Sequence, residues 1–568
     1  MIETINEQPQ TTDNPANYDL PTEQEYEEEI NKLEKTFIGS IFPISKKEAP
    51  RVLMAAAMYF FVSLVYSFLR QFKDNVIYDI LTPAAGNYLK ILVFFVSFFV
   101  INTISSTFNK RGINKGAEVY ILFMALSLVG FSILVFVKDF LCPIGWAEEV
   151  LLSQKYTIRK LGTFKAILPL FNHFVMVLYY VLSEALGSAL MSFVCMTYFG
   201  SNLTPFQMDR YIRIVYIGAN LSLLCTGFLV SAISKWAEKT IRTRFKFAYY
   251  GFAFDGLACL LFLIYGMKKL LDKEFAKELY QGASKKVTKK KGKAKISMGD
   301  SIRMVFQSRL LFNMVVMSLG YNFTTACASS MASYVYTAYA EYLIQNPSAN
   351  NTPGFVPTKA YIGMQYKSFE TTYVSLLVIF LMLTPMFMGL FRKFGVFLFA
   401  LVTLLCCLIP TIISAFFATM NYPFTRYNAK VMFGLGMNVS EPKFQMEALM
   451  AALGNVAIKI GKYAFYDVVK EGVSVRIDPA NRAVYKGIFD GVAAKGGKML
   501  GSFYIILAQQ IFGVNDARWF SPLTVIVMCL ISVLWLFAIL SLHPNYKKAS
   551  QTKCFLDDTV AKKTKKIQ

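Results

Sequence analysis

Histidine is almost missing from this chain, and so is any grouping of residues that would make it an enzyme. Only His173 and His543 occur among 568 residues, too few for a histidine-based metal or acid–base centre. The nine cysteines show no metal-ligand spacing. Cys195, Cys225, Cys259, Cys406 and Cys407 lie inside apolar runs, where a thiol packs as a small hydrophobe. No GxxxxGK[ST] loop occurs and no soluble stretch could house one, which argues against a pump driven by ATP hydrolysis. With no nucleophile–base set in view, neither enzymatic activity nor a cofactor is expected. The first fifty residues hold no signal-peptide core; TTDNPANYDLPTEQEYEEEINKLEK is polar and acidic, and little fixed structure is expected there. Charge is scarce too, at 17% of residues against about 25% in a soluble domain.

Apolar and aromatic side chains fill the space. They make up 55% of the chain, with 51 Phe and 32 Tyr, and the mean hydropathy is +0.43. A soluble core does not need so much, whereas a protein facing lipid does. The expectation is an all-α polytopic membrane protein. Runs long enough to span lie near 52–69, 88–107, 117–137, 168–200, 211–233 and 246–267. A second group lies near 305–340, 369–390, 394–418, 426–462, 488–512 and 519–542. The lysine-rich insert between the groups, with KKVTKKKGKAK at its core, is too plain to fold alone. The division expected is a polar tail over 1–50, a six-helix bundle over 51–267 and a basic linker over 268–303. A second six-helix bundle over 304–542 and a basic tail over 543–568 complete it. Twelve transmembrane helices in two bundles is a transporter architecture.

The formal net charge of +23 does not point to nucleic acid, because much of it sits between the apolar runs, as the positive-inside bias requires. A cytoplasmic N-terminus puts FNKRGINKG, the linker, FRKFG, the 463–487 segment and the KKTKK tail on one side, with the C-terminus. KWAEKTIRTRFK, at 235–246, is the basic loop on the wrong side. An Asn-Asn-Thr glycan acceptor stands at 350–352 in an outer loop.

Charges within the runs are costly and should face a cavity or a partner. YSFLRQFKDNVIYD ends the first run with Arg70, Lys73 and Asp74 at helical spacing. They form either an internal ion-pair cluster or part of an anion site. Glu184 stands alone in a long apolar stretch, flanked by Ser183, Ala185, Gly187 and Ser188; it must pair with a cation such as Lys73 or take up a proton. Lys459, Lys462, Lys495 and Lys498 come from the second half, and Gly496, Gly497 and Gly501 could bring backbone N–H groups to whatever Lys498 holds. A cavity with cations from both halves suits a cargo of several negative charges, and phosphate esters best.

Three stretches resemble the nucleotide translocases of plastids and obligate intracellular bacteria and parasites. KYAFYDVVKEGVSVRIDPANRAVYKGIFDGVAAKGGKMLGSF is similar to that family's late lysine-rich run. FLRQFKDNVI is similar to its Leu-Arg-x-x-Lys-Asp, and LSEALGSALMSF with the later Gly-Ala-Asn to its Ala-Glu-Leu-Trp-Gly-Ser segment. The resemblance spans about residues 40–542. It implies a major facilitator-like fold and a carrier of ATP, ADP or other purine nucleotides. The substrate-binding set it implies is Lys73, Arg70, Glu184, Lys498, Asp74, Lys462 and Asn220. A glutamate the family carries in the first span of the second half is replaced here, near Ala328 or Ser329.

The expected mechanism is alternating access, most simply ATP/ADP exchange in the cell membrane of an intracellular parasite or endosymbiont. An organelle membrane and proton-coupled net import are the alternatives. The protein is expected to be a monomer with no nucleic-acid partner. Tyr66, Tyr180, Tyr321 and Phe489 are candidate stacking surfaces for a base. A scaffold that kept a transporter fold, its linker docking anionic lipid, is the competing class.

Overall fold

The computed structural model describes residues 21–36, 39, 42–141, 166–240, 248–280, 303, 305–349, 356–383, 385–421, 443–475, 477, 485 and 487–552. The glycan acceptor at 350–352, the lysines of KKVTKKKGKAK, the end of the basic 235–246 loop, the start of the 426–462 run and the KKTKK tail lie outside them.

The described chain is helical. A short helix α1 (Glu23–Glu34) precedes α2 (Ala49–Asp79), α3 (Pro83–Arg111), α4 (Ile113–Phe136), α5 (Phe174–Asn202), α6 (Pro205–Thr240) and α7 (Ala248–Phe275). The second half has α8 (Arg309–Gln345), α9 (Lys359–Leu383), α10 (Gly395–Asn421, after a break in the helix at Gly395), α11 (444–475), α12 (487–512) and α13 (Ser521–Thr552). Ten helices among the described residues are long and apolar enough to cross a membrane. Their breaks follow local chemistry. Thr82 caps α3 by accepting from the Ala85 N–H, and Pro83 needs no partner for its missing N–H. Gly112, at φ 79°, ends α3 and starts α4; a side chain there would be strained.

Phe95, Phe99, Phe123, Phe228, Phe380 and Phe537 are exposed on the outer faces, where lipid would cover them. Inside, the first half packs around one continuous buried cluster from Val52 to Leu271, whereas the second half divides into several smaller ones.

Two ends of the bundle are distinguishable. Glu48, Arg210, Glu274, Arg309 and Ser541 mark the near end, through Arg210–Glu48, Arg51 to the Glu274 carbonyl and Arg309 to Ser541. From mid-depth to the far end the halves join. Tyr78 pairs with Ser333 at 3.1 Å, Lys90 donates to Ser330 at 2.8 Å and Gln71 to Thr371 at 3.1 Å. Ser368 donates to the Gly227 carbonyl at 2.6 Å, and Thr358 to Glu238 at 2.6 Å. At Gly227, α6 lies so close to α9 that an added Cβ would collide with the Thr372 side chain.

The acidic N-terminal stretch corrects an expectation. Instead of lacking structure, residues 23–34 form a helix with a Thr22–Glu25 capping box. Tyr26 and Ile30, one turn apart, bury against Leu279 and Tyr280 beyond α7. Tyr26 also donates to Glu48, whose carboxylate accepts two 2.8 Å bonds from Arg210 and one of 2.7 Å from Tyr211. Burial pushes the Glu48 carboxyl up, but Arg210 and the two phenols more than offset this and hold it below the usual carboxylate range. The 369–390 run is displaced as well: α9 begins at Lys359, because Lys367 and Glu370 turn inward instead of marking a loop.

Candidate functional site

The site grows from one turn of α2. Lys73 is 6% exposed and donates to Asp74 at 2.9 Å. Its ammonium lies 3.6 Å from Glu184 on α5 and 4.6 Å from the centre of the Tyr180 ring. Glu184 is also approached, at 3.8 Å each, by Lys495 and Lys498 of α12. The carboxylate that stood alone in the sequence is thus shared by three lysines, two of them from the other half. None of these contacts is tight. Glu184 Oε2 makes no hydrogen bond among the described residues, and Lys495 donates a hydrogen bond to Ser188 at 3.0 Å. Such spacing leaves ammonium protons unassigned, which a built ion pair at about 2.8 Å does not.

Arg70, one turn back on α2, lies within Coulombic reach of Glu184, Asp74, Tyr66 and Tyr463. Lys462 sits over the Tyr463 ring at 5.1 Å and within reach of Lys495 and Lys498. Gly187 brings α5 against Tyr66, as the small residues around Glu184 foretold. Lys73, Arg70, Asp74, Glu184, Lys462 and Lys498 therefore come together, with Tyr66 and Tyr180 beside them.

Other expectations fall elsewhere. Asn220 lies where α6 meets α9, donating to the Tyr216 carbonyl at 2.8 Å and touching the Met382 sulfur at 4.0 Å. Tyr321 and Phe489 are core residues, Tyr321 stacked on Tyr466 at 5.3 Å, so neither presents a ring to a ligand. Gly497 and Gly501 do not cradle an anion. Their bare faces press on Leu319, Asn322 and Ala326 of α8, so they serve close helix packing. Ala328, near the replaced family glutamate, lines an apolar cavity with Met331, Ala451 and Ile458.

The second half holds a carboxylate that the sequence reading missed. Glu370 on α9 is fully buried and accepts from Tyr336 at 2.7 Å, Asn455 at 2.9 Å and Lys459 at 2.7 Å, with Lys367 at 3.4 Å. A span placed over 369–390 cut Lys367 off as loop; the polar spacing K-S-F-E within an apolar run was the available signal. Cations thus outnumber carboxylates at mid-depth, an excess that burial penalises unless an anion enters. Three π-helical turns adjoin these residues: Leu190–Cys195 after Glu184, Gly461–Tyr466 around Lys462, and Gly487–Ala493 before Lys495. Such wide turns occur often at functional sites. Among the described residues no group of His, Cys, Asp and Glu could hold a metal.

The family model described as TLC ATP/ADP transporter matches residues 24–343 and 358–546. ADP,ATP carrier protein 1 of Encephalitozoon cuniculi (strain GB-M1) is 25% identical over 559 residues, 96% of this chain and 95% of the relative. ADP,ATP carrier protein 1 of Paranosema grylli is 26% identical, covering 95% of each. Among solved structures, a point mutant of the nucleoside transporter NupG superposes with a TM-score of 0.51 at 12% identity, over 86% of this chain and 99% of that one. At that identity the likeness establishes a shared arrangement of helices, the major facilitator-like one.

Proposed function

Because the chain belongs to the TLC ATP/ADP transporter family, we propose that it carries purine nucleotides across a membrane, exchanging ATP for ADP. Twelve spanning helices in two bundles of six, with α11 and α12 joining the ten more apolar ones, rock about the mid-depth site. Lys73, Arg70, Lys462 and Lys498 neutralise the phosphates, and Asp74 keeps Lys73 in place. Asn220 serves the same passage from the α6–α9 interface. Glu184 is the counter-ion of the empty site, displaced from its lysines when the cargo arrives. That the relatives from Encephalitozoon and Paranosema are named ADP,ATP carriers supports ATP and ADP as the cargo. Uptake of host ATP by an intracellular parasite through its cell membrane, by a monomer with both termini cytoplasmic, is the rest of the proposal. Its orientation rests on where the lysines and arginines fall between the apolar runs.

The single observation carrying this reading is the sharing of Glu184 among lysines of both halves at 3.6–3.8 Å. Contacts so loose, across the interface that must open, can be traded for phosphate oxygens without a large penalty. The test compares entry of labelled ATP into proteoliposomes that are empty or loaded with ADP. Exchange requires faster entry into loaded vesicles. Equal entry into empty ones, raised by an inward proton gradient, replaces exchange with proton-coupled import. No entry under either condition overturns nucleotide transport.

A further inference from the structure

The Glu370 cluster has no place in the reading above, yet it adjoins the site. Gln71 of α2 donates to Thr371 of α9 at 3.1 Å, and Thr371 in turn bonds the Lys367 carbonyl at 2.9 Å. The turn carrying Arg70, Lys73 and Asp74 therefore lies against the turn carrying Lys367 and Glu370. Arg70 is within Coulombic reach of Lys367 and Lys459 on one side and of Lys495 and Lys498 on the other. It is coupled electrostatically to two lysine–carboxylate groups, one centred on each half's buried acid, and the Gln71–Thr371 bond sets its turn against the second of them.

The two groups share a composition that scaffolding does not require. Glu370 brings one negative charge to two lysines, just as Glu184 brings one to three. Tyr336 and Asn455 already satisfy one Glu370 oxygen, so the acid would stay paired if a lysine left it. Lys459, 20% exposed, is the less enclosed of its two lysines, and an ammonium has three donors while Glu370 uses one of them. A dry structural pair would close its charge; here Lys367 shares Glu370 with Lys459 and has Asp74, already bonded to Lys73 at 2.9 Å, as its next carboxylate.

The geometry points to a second phosphate subsite at Lys367 and Lys459, with Glu370 as its exchangeable counter-ion and Arg70 bridging to the Lys73–Lys498 subsite. This deepens the proposed function and rests on its reading of mid-depth as an oligophosphate site. With two subsites in line, the protein measures the length of a phosphate chain: a chain of three phosphates spans both, a single phosphate fills one.

The test uses the purified full-length chain in detergent and three probes without a base: inorganic phosphate, pyrophosphate and tripolyphosphate. Affinity is read from the ligand dependence of thermal unfolding. Wild type should bind tripolyphosphate most tightly. Lys459→Gln should weaken tripolyphosphate about tenfold, the value of one charge-assisted bond, and inorganic phosphate by less than about twofold. Glu370→Gln, which keeps the bonds to Tyr336 and Asn455, should tighten tripolyphosphate by releasing both lysines. If Lys459→Gln does not fold, Lys367→Gln, with the longer 3.4 Å contact, is read in the same way. Equal weakening for all three probes, no weakening, or a lowered melting temperature with unchanged affinity ratios overturns the subsite and makes the cluster a brace for the second half. A failure of ATP/ADP exchange in vesicles would leave these phosphate ratios intact, so the two readings fail separately.

Discussion

Two buried charge clusters of this molecule are opposites in construction. At the near end one carboxylate, Glu48, meets one guanidinium, Arg210, through two 2.8 Å bonds, and two phenols complete the shell. At mid-depth one carboxylate, Glu184, is divided among three ammonium groups at 3.6–3.8 Å, with an oxygen left without a hydrogen bond among the described residues. The first cluster lies wholly within one half and ties α1, α2 and α6; the second draws its members from both halves. A buried ion pair is stable only when charge balances and every donor is used. Balance and saturation mark Glu48 as a fastening. Surplus and slack at Glu184 are what the proposed phosphate seat requires.

The comparison can be broken from either side. Glu48→Gln should lower stability by about 3–5 kcal/mol, since it strands a buried guanidinium. A falling melting temperature with an unchanged KM for ATP in vesicles is the outcome that keeps the contrast. Lys498→Ala should do the reverse: nucleotide entry falls by about a hundredfold, roughly 3 kcal/mol for charge-assisted bonds lost to the phosphates, with little change in melting. Lys73→Ala should lose entry as far but also melt lower, because it strands Asp74, bonded at 2.9 Å. Near-normal uptake in both variants would remove these lysines from the site.

A smaller effect tests whether the halves close where the contacts say. Gly227→Ala sets a methyl group against the Thr372 side chain, and overpacking of this kind costs about 1–3 kcal/mol. Thiol labelling of an introduced Ser333→Cys, beside Tyr78 at the far end, should quicken as that contact loosens. Unchanged labelling would mean that α6 and α9 do not control that end.

The smallest effect concerns acid. The Glu48 carboxyl titrates below its unfolded value, so its stabilisation is complete above that value, about 4.3, and fades as pH falls through the lower folded one. Hydrogen exchange of residues 23–34 should therefore be steady from about pH 8 to 5, apart from the intrinsic rate, and should rise sharply only below about pH 4. Loss of protection already at about pH 6 would show that Glu48 does not govern the docking of α1.

How much of this could be read beforehand depended on contrast. Lys73, Glu184 and Lys498 stood out because each interrupts an apolar run, and the lipid-facing phenylalanines declared the helices themselves. Lys367 and Glu370 did not, because K-S-F-E-T-T-Y dilutes the hydropathy in the middle of α9 and looks like a loop. Tyr26 and Ile30 lay in plain spacing, but the surrounding glutamates outweighed two apolar residues whose partners come only after α7. Glu48 and Arg210 are 162 residues apart, and nothing local announces such a pair. Tyr321 and Phe489 illustrate the converse: with 51 Phe and 32 Tyr, an aromatic in this chain is packing material unless geometry says otherwise.

The wide turns at 190–195, 461–466 and 487–493 have a further meaning. Each holds one surplus residue, as a dislocation holds one surplus row in a crystal. A dislocation can glide without the lattice melting. If such a defect slips along its helix, the residues it passes swing by about 100° while the helix keeps its length of bonding and its two ends stay put. Lys462, Lys495 and Ser188 each ride on or beside one, so their side chains can be re-aimed by an internal adjustment far smaller than any tilt of a whole bundle.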